Sequence, residues 1–538
     1  MKKLLTILPL TLLCFSSCTK TASKTEIKQP NIIWISAEDL SPIMACYGDS
    51  TVSTPNLDRL AKEGIVYNHA YTTAGVCSPA RNAIITGMYQ ISTGGHNMRT
   101  MGNTYPEQTG LPKSYSSVPP PSVRCFPEYL RKEGYFTGNF HKTDYQFEAP
   151  ATVWDEIGKE RTSYTWPTDK PFFTVFNYTT THESQLWKRA DHEKRADPAK
   201  VKLPPYYPDT ETARNVVARQ YSNMSELDDE IGQLLASLES QNLLENTIIF
   251  FWGDHGDGIP FYKREVYKRG LHIPLIIRMP DGENAGTYND DFISAIDFGP
   301  TVLSLAGIPT PKNMHGQAFL GEYKAKKNRD YIFGARDRLD SEYDRVRTVL
   351  DKKYQYVRNF YPERPLYMNV AYRKQIPLMV ELLEMKDKGQ LNKDQMFWFQ
   401  PTKAPEELYD LEADPYQLNN LINDPSLVAK RKELTEAMDN WLASIEDYGA
   451  IPEKELVAKW WNGKDHPPLT EEAKVEIIGE KATISCPTEG ASIGYKFKSN
   501  TTWNVYNDKA IELKGDSLMV LTHRIGYEPS IKTISLKK

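Results

Sequence analysis

Cysteine is scarce. The chain has 538 residues and six cysteines, at 14, 18, 46, 77, 125 and 486, too scattered to form a disulfide framework or a cysteine metal motif. That pattern excludes a small crosslinked scaffold and leaves Cys46 and Cys125 to be read as small apolar core residues. Charge of one sign is also missing. The 65 Lys and Arg stand against 70 Asp and Glu, for a net charge of −5. Nothing in that balance suggests a nucleic-acid partner, although a local basic pocket for an anionic ligand stays open. There is no long low-complexity tract. The N-terminal apolar run LLTILPLTLLCF falls short of the roughly 20 residues that cross a bilayer.

That run reads as an export signal, because Lys2 and Lys3 precede it and small residues follow. The segment Phe15 to Cys18, FSSC, resembles a bacterial lipobox. The expectation is therefore a lipoprotein signal peptide over 1–18, lipidation of Cys18 and a polar tether over 19–29. The protein would then be exported to the periplasm or cell surface, touching the outer membrane only through its lipid.

From residue 30 apolar runs alternate with helical patterns, which predicts an α/β fold with a large, mostly parallel or mixed sheet flanked by helices. NIIWIS leads into Glu38 and Asp39, and YFTGNF into His141, Lys142 and Asp144. FFTVFNY leads to His182, and TIIFFW to Asp254 and His255. Ligands of open α/β sheets bind beyond the carboxyl ends of the strands, so these four ends can share one cleft. Residues 214–241 have helical periodicity and predict a long helix over the sheet. The expected organisation is a catalytic α/β domain over 30–330, a smaller α+β subdomain over 331–465 and an accessory β-domain over 466–538.

The segment GVCSPARNAIITG (75–87) contains Cys77-Ser78-Pro79-Ala80-Arg81, a C-x-P-x-R pattern. Read blandly, it is a helix start, since proline is favoured at the first helical position. Either way Cys77 sits at a helix N-terminus, where the dipole favours negative charge. Glu38, Asp39 and Asp254 are hard oxygen ligands suited to Ca²⁺ or Mg²⁺, whereas an imidazole at His255 leaves room for a transition metal.

With this motif, NIIWISAEDLSP, FFWGDHGDG and ELYDLEADPYQLNNL, the chain resembles the formylglycine-dependent sulfatases of the alkaline-phosphatase superfamily over roughly 30–425. The resemblance implies an alkaline-phosphatase-like fold and a maturation enzyme that oxidises Cys77 to formylglycine. It implies one Ca²⁺ held by Glu38, Asp39, Asp254, His255 and residue 77, with Arg81, Lys142, His182 and Lys263 completing the catalytic set. The implied reaction is attack by the hydrated aldehyde on sulfur, then release of sulfate by collapse of the covalent adduct. Two departures stand out: His141 and Asp144 replace the glycine and histidine usual around Lys142.

His96, Arg99, Asp144, Arg336, Arg338, Asp344 and Arg347 are candidates for contact with an acidic, sulfated carbohydrate, because arginine forks and carboxylates suit such sugars. The alternative for the arginine cluster is an inter-domain ion-pair network. LPPYYPDTETARNVVARQY resembles the matching region of N-sulfoglucosamine sulfohydrolases, leaving both ester and sulfamate cleavage open. The rival functions are a phosphodiesterase or phosphonate monoester hydrolase of the same superfamily, and an inactive glycan-binding lipoprotein.

Overall fold

The computed structural model describes residues 29–158, 166–167 and 169–537. The expected signal peptide, Cys18 and nearly all of the tether lie outside the described residues. The core is a nine-stranded mixed sheet built from β1 (Asn31–Ala37), β2 (Ile65–Tyr71), β3 (Phe136–Phe140), β4 (Glu156–Gly158), β5 (Phe172–Tyr178), β6 (Thr247–Gly253), β7 (His272–Ile273), β8 (Leu275–Arg278) and β9 (Thr287–Ser294). The spatial order is β4-β3-β5-β1-β6-β8-β2-β7, with β9 pairing to β2. The contiguous block β4, β3, β5, β1, β6 is parallel. Antiparallel β8 then joins β6 to β2.

Parallel strands covered on both faces read as continuous apolar runs, and β1 is buried along its whole length. Ile32 and Trp34 face one core cluster, which includes Ile84, Ile85 and Phe298. Ile33 and Ile35 face the other. The helix Glu211–Ser240 covers that second face with Met224, Leu227, Ile231 and Leu234. Its start is fixed by Thr210, whose Oγ1 accepts from Ala213 N at 3.1 Å, satisfying one of the free N–H groups of the first turn.

Downstream, β10 (Ile332–Arg336), β11 (Val346–Leu350), β12 (Tyr354–Asn359) and β13 (Glu406–Asp410) form an antiparallel sheet. The helix Val428–Ser444 packs Leu434, Met438 and Trp441 into the same core cluster as β11 Val349 and β12 Tyr356. Seven further strands between Lys474 and Ser535 make two small antiparallel sheets. They hold the main unit through arginine: Arg124 donates to Ala491 O at 3.4 Å and Arg524 to Pro119 O at 2.8 Å. Cys125 is fully buried and Cys46 partly so, and no two of the four described cysteines are bonded. Among the described residues no helix is long and apolar enough to cross a membrane.

Leu227 is fully buried between the long helix and the sheet. Leu227→Ala should therefore cost about 2–5 kcal/mol, read as a lower denaturant midpoint with an unchanged slope.

Candidate active site

The register of β3, β5, β1 and β6 brings their carboxyl ends side by side, so the polar residues after each strand face one another. β1 runs out at Ala37, and Asp39 takes a positive φ of 52°. Asp39 N donates to Asp254 Oδ1 at 3.0 Å, linking the ends of β1 and β6. Glu183 N, from the turn after β5, donates to Asp39 Oδ2 at 2.7 Å. Asp257 ties down the next stretch: its carboxylate accepts from Ser41 N at 2.9 Å and from Gln220 at 3.1 Å. Burial pushes its pKa up to about 7, against the hydrogen bonds it accepts. Two glycines permit the close approach. A Cβ on Gly258 would lie 2.8 Å from both Asp39 Oδ2 and Glu183 Cα, and one on Gly75 would lie 2.2 Å from Glu265 O.

The helix Cys77–Thr86 begins at Cys77 itself, after Val76 in extended conformation. Cys77 Sγ lies 3.3 Å from His255 Nε2 and 4.0 Å from Asp39 Oδ1. Burial opposes ionisation of the thiol, but Lys142, Lys263 and His255 outweigh it and hold its pKa down at about 6. One helix turn on, Arg81 is 4% exposed. Its guanidinium reaches Asp254 at 3.2 Å, Asn177 at 2.7 Å, Ser36 at 3.1 Å and Glu38 at 3.2 Å. Arg81 thus bolts the ends of β1, β5 and β6 together through three hydrogen bonds and an ion pair with Glu38.

The other cations are similarly placed. Lys142 Nζ sits 2.5 Å from Glu38 and 3.1 Å from Asp144. Lys263 Nζ lies 2.8 and 2.7 Å from the two Asp39 oxygens and 3.1 Å from Glu183. Glu183 also takes a two-pronged ion pair from Arg264, at 2.8 and 2.7 Å. Burial disfavours the Glu38 carboxylate, yet Lys142 and Arg81 lower its pKa to about 2. His182 Nδ1 contacts the Ser184 hydroxyl at 2.9 Å, and its Nε2 lies 4.0 Å from Glu38. Burial and Lys263 oppose its protonation, but Asp39, Cys77 and Glu38 raise its pKa.

Asp39, Cys77, Asp254 and His255 each offer a ligand atom within 4.8 Å of the others. His255 Nδ1 contacts Gly256 O at 2.9 Å. A carbonyl can only accept, so the proton sits on Nδ1 and Nε2 faces the acids, as metal ligation requires. Burial of the ring is outweighed by Asp254, Asp39 and Cys77, and its pKa rises to about 9. The donor set fits a divalent cation. Glu38, expected among the ligands, has its carboxylate paired with Lys142 and Arg81, as Asp39 is paired with Lys263 and Asp254 with Arg81.

The remaining sequence candidates divide. Arg99 is at the rim, 2.9 Å from Asp340 and stacked 5.2 Å over Tyr372, whose ring lies 6.4 Å from His182. Asp144 is also at the rim, bonded by Ser78 Oγ at 3.3 Å. Arg336 and Arg347 are corrected from sugar contacts to structural cations. Arg336 is enclosed by Glu265 at 2.5 Å and Asp344 at 2.6 Å, and Arg347 by Asp337 at 3.0 Å and Asp447 at 2.7 Å. Asp344 is spent on Arg336 and Lys403. His96 and Arg338 lie further out, on a separate cavity. Sequence reasoning missed Glu183, Arg264 and Asn177. Glu183 and Arg264 directly follow His182 and Lys263, and an adjacent acid and base after two site residues was the available signal. Asn177 carried none, because an asparagine inside an apolar strand has many structural uses.

A mixed α/β sheet whose strand ends enclose a buried acid–cation cluster around a helix-starting cysteine defines a hydrolase built for an anionic group. The Sulfatase family profile matches residues 30–308, and the profile for N-sulphoglucosamine sulphohydrolase, C-terminal, matches 253–368. An ulvan-active sulfatase of Formosa agariphila is 42% identical, covering 97% of this chain and 96% of the relative. The chain belongs to the sulfatase family and is a sulfuric ester hydrolase. That family is formylglycine-dependent and carries a metal site. Among solved structures, the fold resembles an enzyme bound to its substrate D-glucosamine-2-N,6-O-disulfate, with a TM-score of 0.56, 17% identity and coverage of 80% of this chain and 100% of that one. It resembles equally the phosphonate monoester hydrolase of Agrobacterium radiobacter, with a TM-score of 0.55, 17% identity and coverage of 77% and 96%.

In unconverted, metal-free protein, Cys77 should ionise near pH 6: thiol below, thiolate above. The ultraviolet thiolate absorbance that differs between the parent and Cys77→Ala should rise through that pH. Replacing Lys142 with methionine should move the midpoint upward, and an unmoved midpoint would refute the electrostatic account.

Proposed function

We propose that this sulfatase removes sulfate from ulvan fragments, with Cys77 as the formylglycine precursor and Ca²⁺ as its cation. The observation carrying the reading is Cys77 at a helix start, 3.3 Å from His255 Nε2 and ringed by buried carboxylates and lysines. The full-length likeness to an ulvan-active sulfatase supports the substrate class. When present, the formylglycine and the cation supply the nucleophile and the Lewis acid.

The chain's own residues do the rest. Asp39, Asp254 and His255 would hold the cation, and Glu38 would keep Lys142 aimed inward. Lys142 and Lys263 place two ammonium groups beside residue 77, where the sulfuryl oxygens carry charge throughout the reaction. His182, its Nδ1 fixed by Ser184 and its Nε2 turned toward the site, is positioned to protonate the departing sugar oxygen. Arg81 holds the acids in place. A formylglycine-generating enzyme would act before folding closes over Cys77, which is 2% exposed.

Protein co-expressed with such an enzyme should release sulfate from ulvan fragments. Cys77→Ala should abolish release, a chelator should remove it and added Ca²⁺ should restore it. His182→Ala should lower kcat by roughly 10²-fold or more. Release of phosphate from phosphodiesters in place of sulfate would favour the phosphoester rival.

The export reading is a separate proposal: Cys18 would carry lipid and tether the enzyme to the outer membrane. Cys18→Ser should move the protein from the membrane fraction to the soluble fraction. An unchanged distribution would sink the anchor.

A further inference from the structure

Apart from the reaction centre lies a cavity of about 620 Å³, formed where residues 96–97, 337–344, 361–364 and 449–455 meet. Its wall carries two tyrosines, Tyr343 and Tyr361, the latter 39% exposed. Arg364 stacks 5.0 Å over Tyr361 and lies half exposed. Arg338 stacks 5.9 Å over Tyr343. The acids of the wall are mostly neutralised. Glu453 is bound by Arg338 at 2.6 and 2.7 Å, Asp337 by Arg347 and Asp344 by Arg336 and Lys403. Two exposed cations remain on the wall: Lys454, and Arg364, which donates to Tyr343 O and lies 4.0 Å from the exposed Glu363. His96, 4% exposed on the same wall, has its Nδ1 without a hydrogen-bond partner in the protein.

The cavity is joined to the reaction rim by the segments that build it. Met98 N donates to Arg338 O at 2.9 Å, and Arg338 Nη1 donates to Met98 O at 3.0 Å and to Asp340 O. Asp340 then holds Arg99, which covers Tyr372 and, through it, His182. The same segments thus carry Arg99 at the reaction rim and, in the cavity wall, two tyrosines, Arg364, Lys454 and the His96 imidazole. Aromatic rings that present apolar area with a polar tip suit sugar faces, and arginine suits their anionic substituents.

We infer that this cavity is a distal subsite for sugar units flanking the sulfated one in an anionic polysaccharide, so that the enzyme reads chain length as well as sulfate. The inference rests on the carbohydrate-sulfatase reading above.

The test is calorimetric binding of ulvan fragments of graded length to the inert Cys77→Ala protein, with and without Tyr361→Ala and Arg364→Ala together. Both side chains are exposed, and unchanged thermal unfolding would verify an intact fold. The Kd of long fragments should rise by about tenfold, a loss of 1.4 kcal/mol, while that of the shortest fragment stays put. In matured enzyme the same pair should raise KM for long fragments and leave kcat unaltered. Equal loss at every length, no loss on long fragments or no binding by the parent would overturn the subsite. Length-dependent binding by the Cys77→Ala protein, with no sulfate released from the same fragments by the matured enzyme, would overturn the sulfatase reading of these fragments and leave the subsite standing.

Discussion

Charge neutralisation in a place without water governs this molecule. Glu38, Asp39, Glu183 and Asp254 are each no more than 1% exposed, gathered where strand ends meet. Taking one carboxylate out of water costs several kcal/mol unless it is paired and hydrogen-bonded. The protein answers with Arg81, Lys263 and Arg264, also nearly buried, and with the partly exposed Lys142, each within 3.2 Å of an acid. Neither set is tolerable without the other. The same balance that makes the fold possible leaves Cys77 beside two ammonium groups and an imidazole, where its ionised form is favoured.

That cluster exists because of the sheet. Parallel pairing of β3, β5, β1 and β6 requires crossover connections and places four carboxyl ends on one edge. The apolar residues of β1 carry no information about chemistry, but the strand's register against β5 and β6 decides where Glu38 and Asp39 emerge. The helix from Cys77 to Thr86 docks Ile84 and Ile85 into the sheet's core, which orients its first residue toward the same edge. Packing at one end of a helix thus positions chemistry at the other.

The sheet of β10 to β13 gives the site its outer wall. Arg336 and Arg347 leave it as buried ion pairs that join it to residues 265 and 447, so the wall is braced electrostatically. Its adjoining segments carry Asp340 and Tyr372 to the rim. Positive charge there is partly structural and partly open to ligands, and only the identity of each partner separates the two uses.

The strands, the long helix and the helix-starting cysteine were legible in the sequence because apolar periodicity and turn chemistry are local properties. So was the placing of Lys142, His182, Asp254 and His255 just beyond strand ends, since each lies within a few residues of one. The ion pairs of Glu38 were not legible: they depend on Lys142 and Arg81, more than forty residues away in the chain. Nor was the division among Arg336, Arg338 and Arg347, which look alike in composition and differ only in the acids that reach them. The sequence by itself determined which elements form and which side chains their ends carry. Tertiary structure decided which charges meet, because buried electrostatics depends on distance and solvent access, and neither is written in any local stretch of chain.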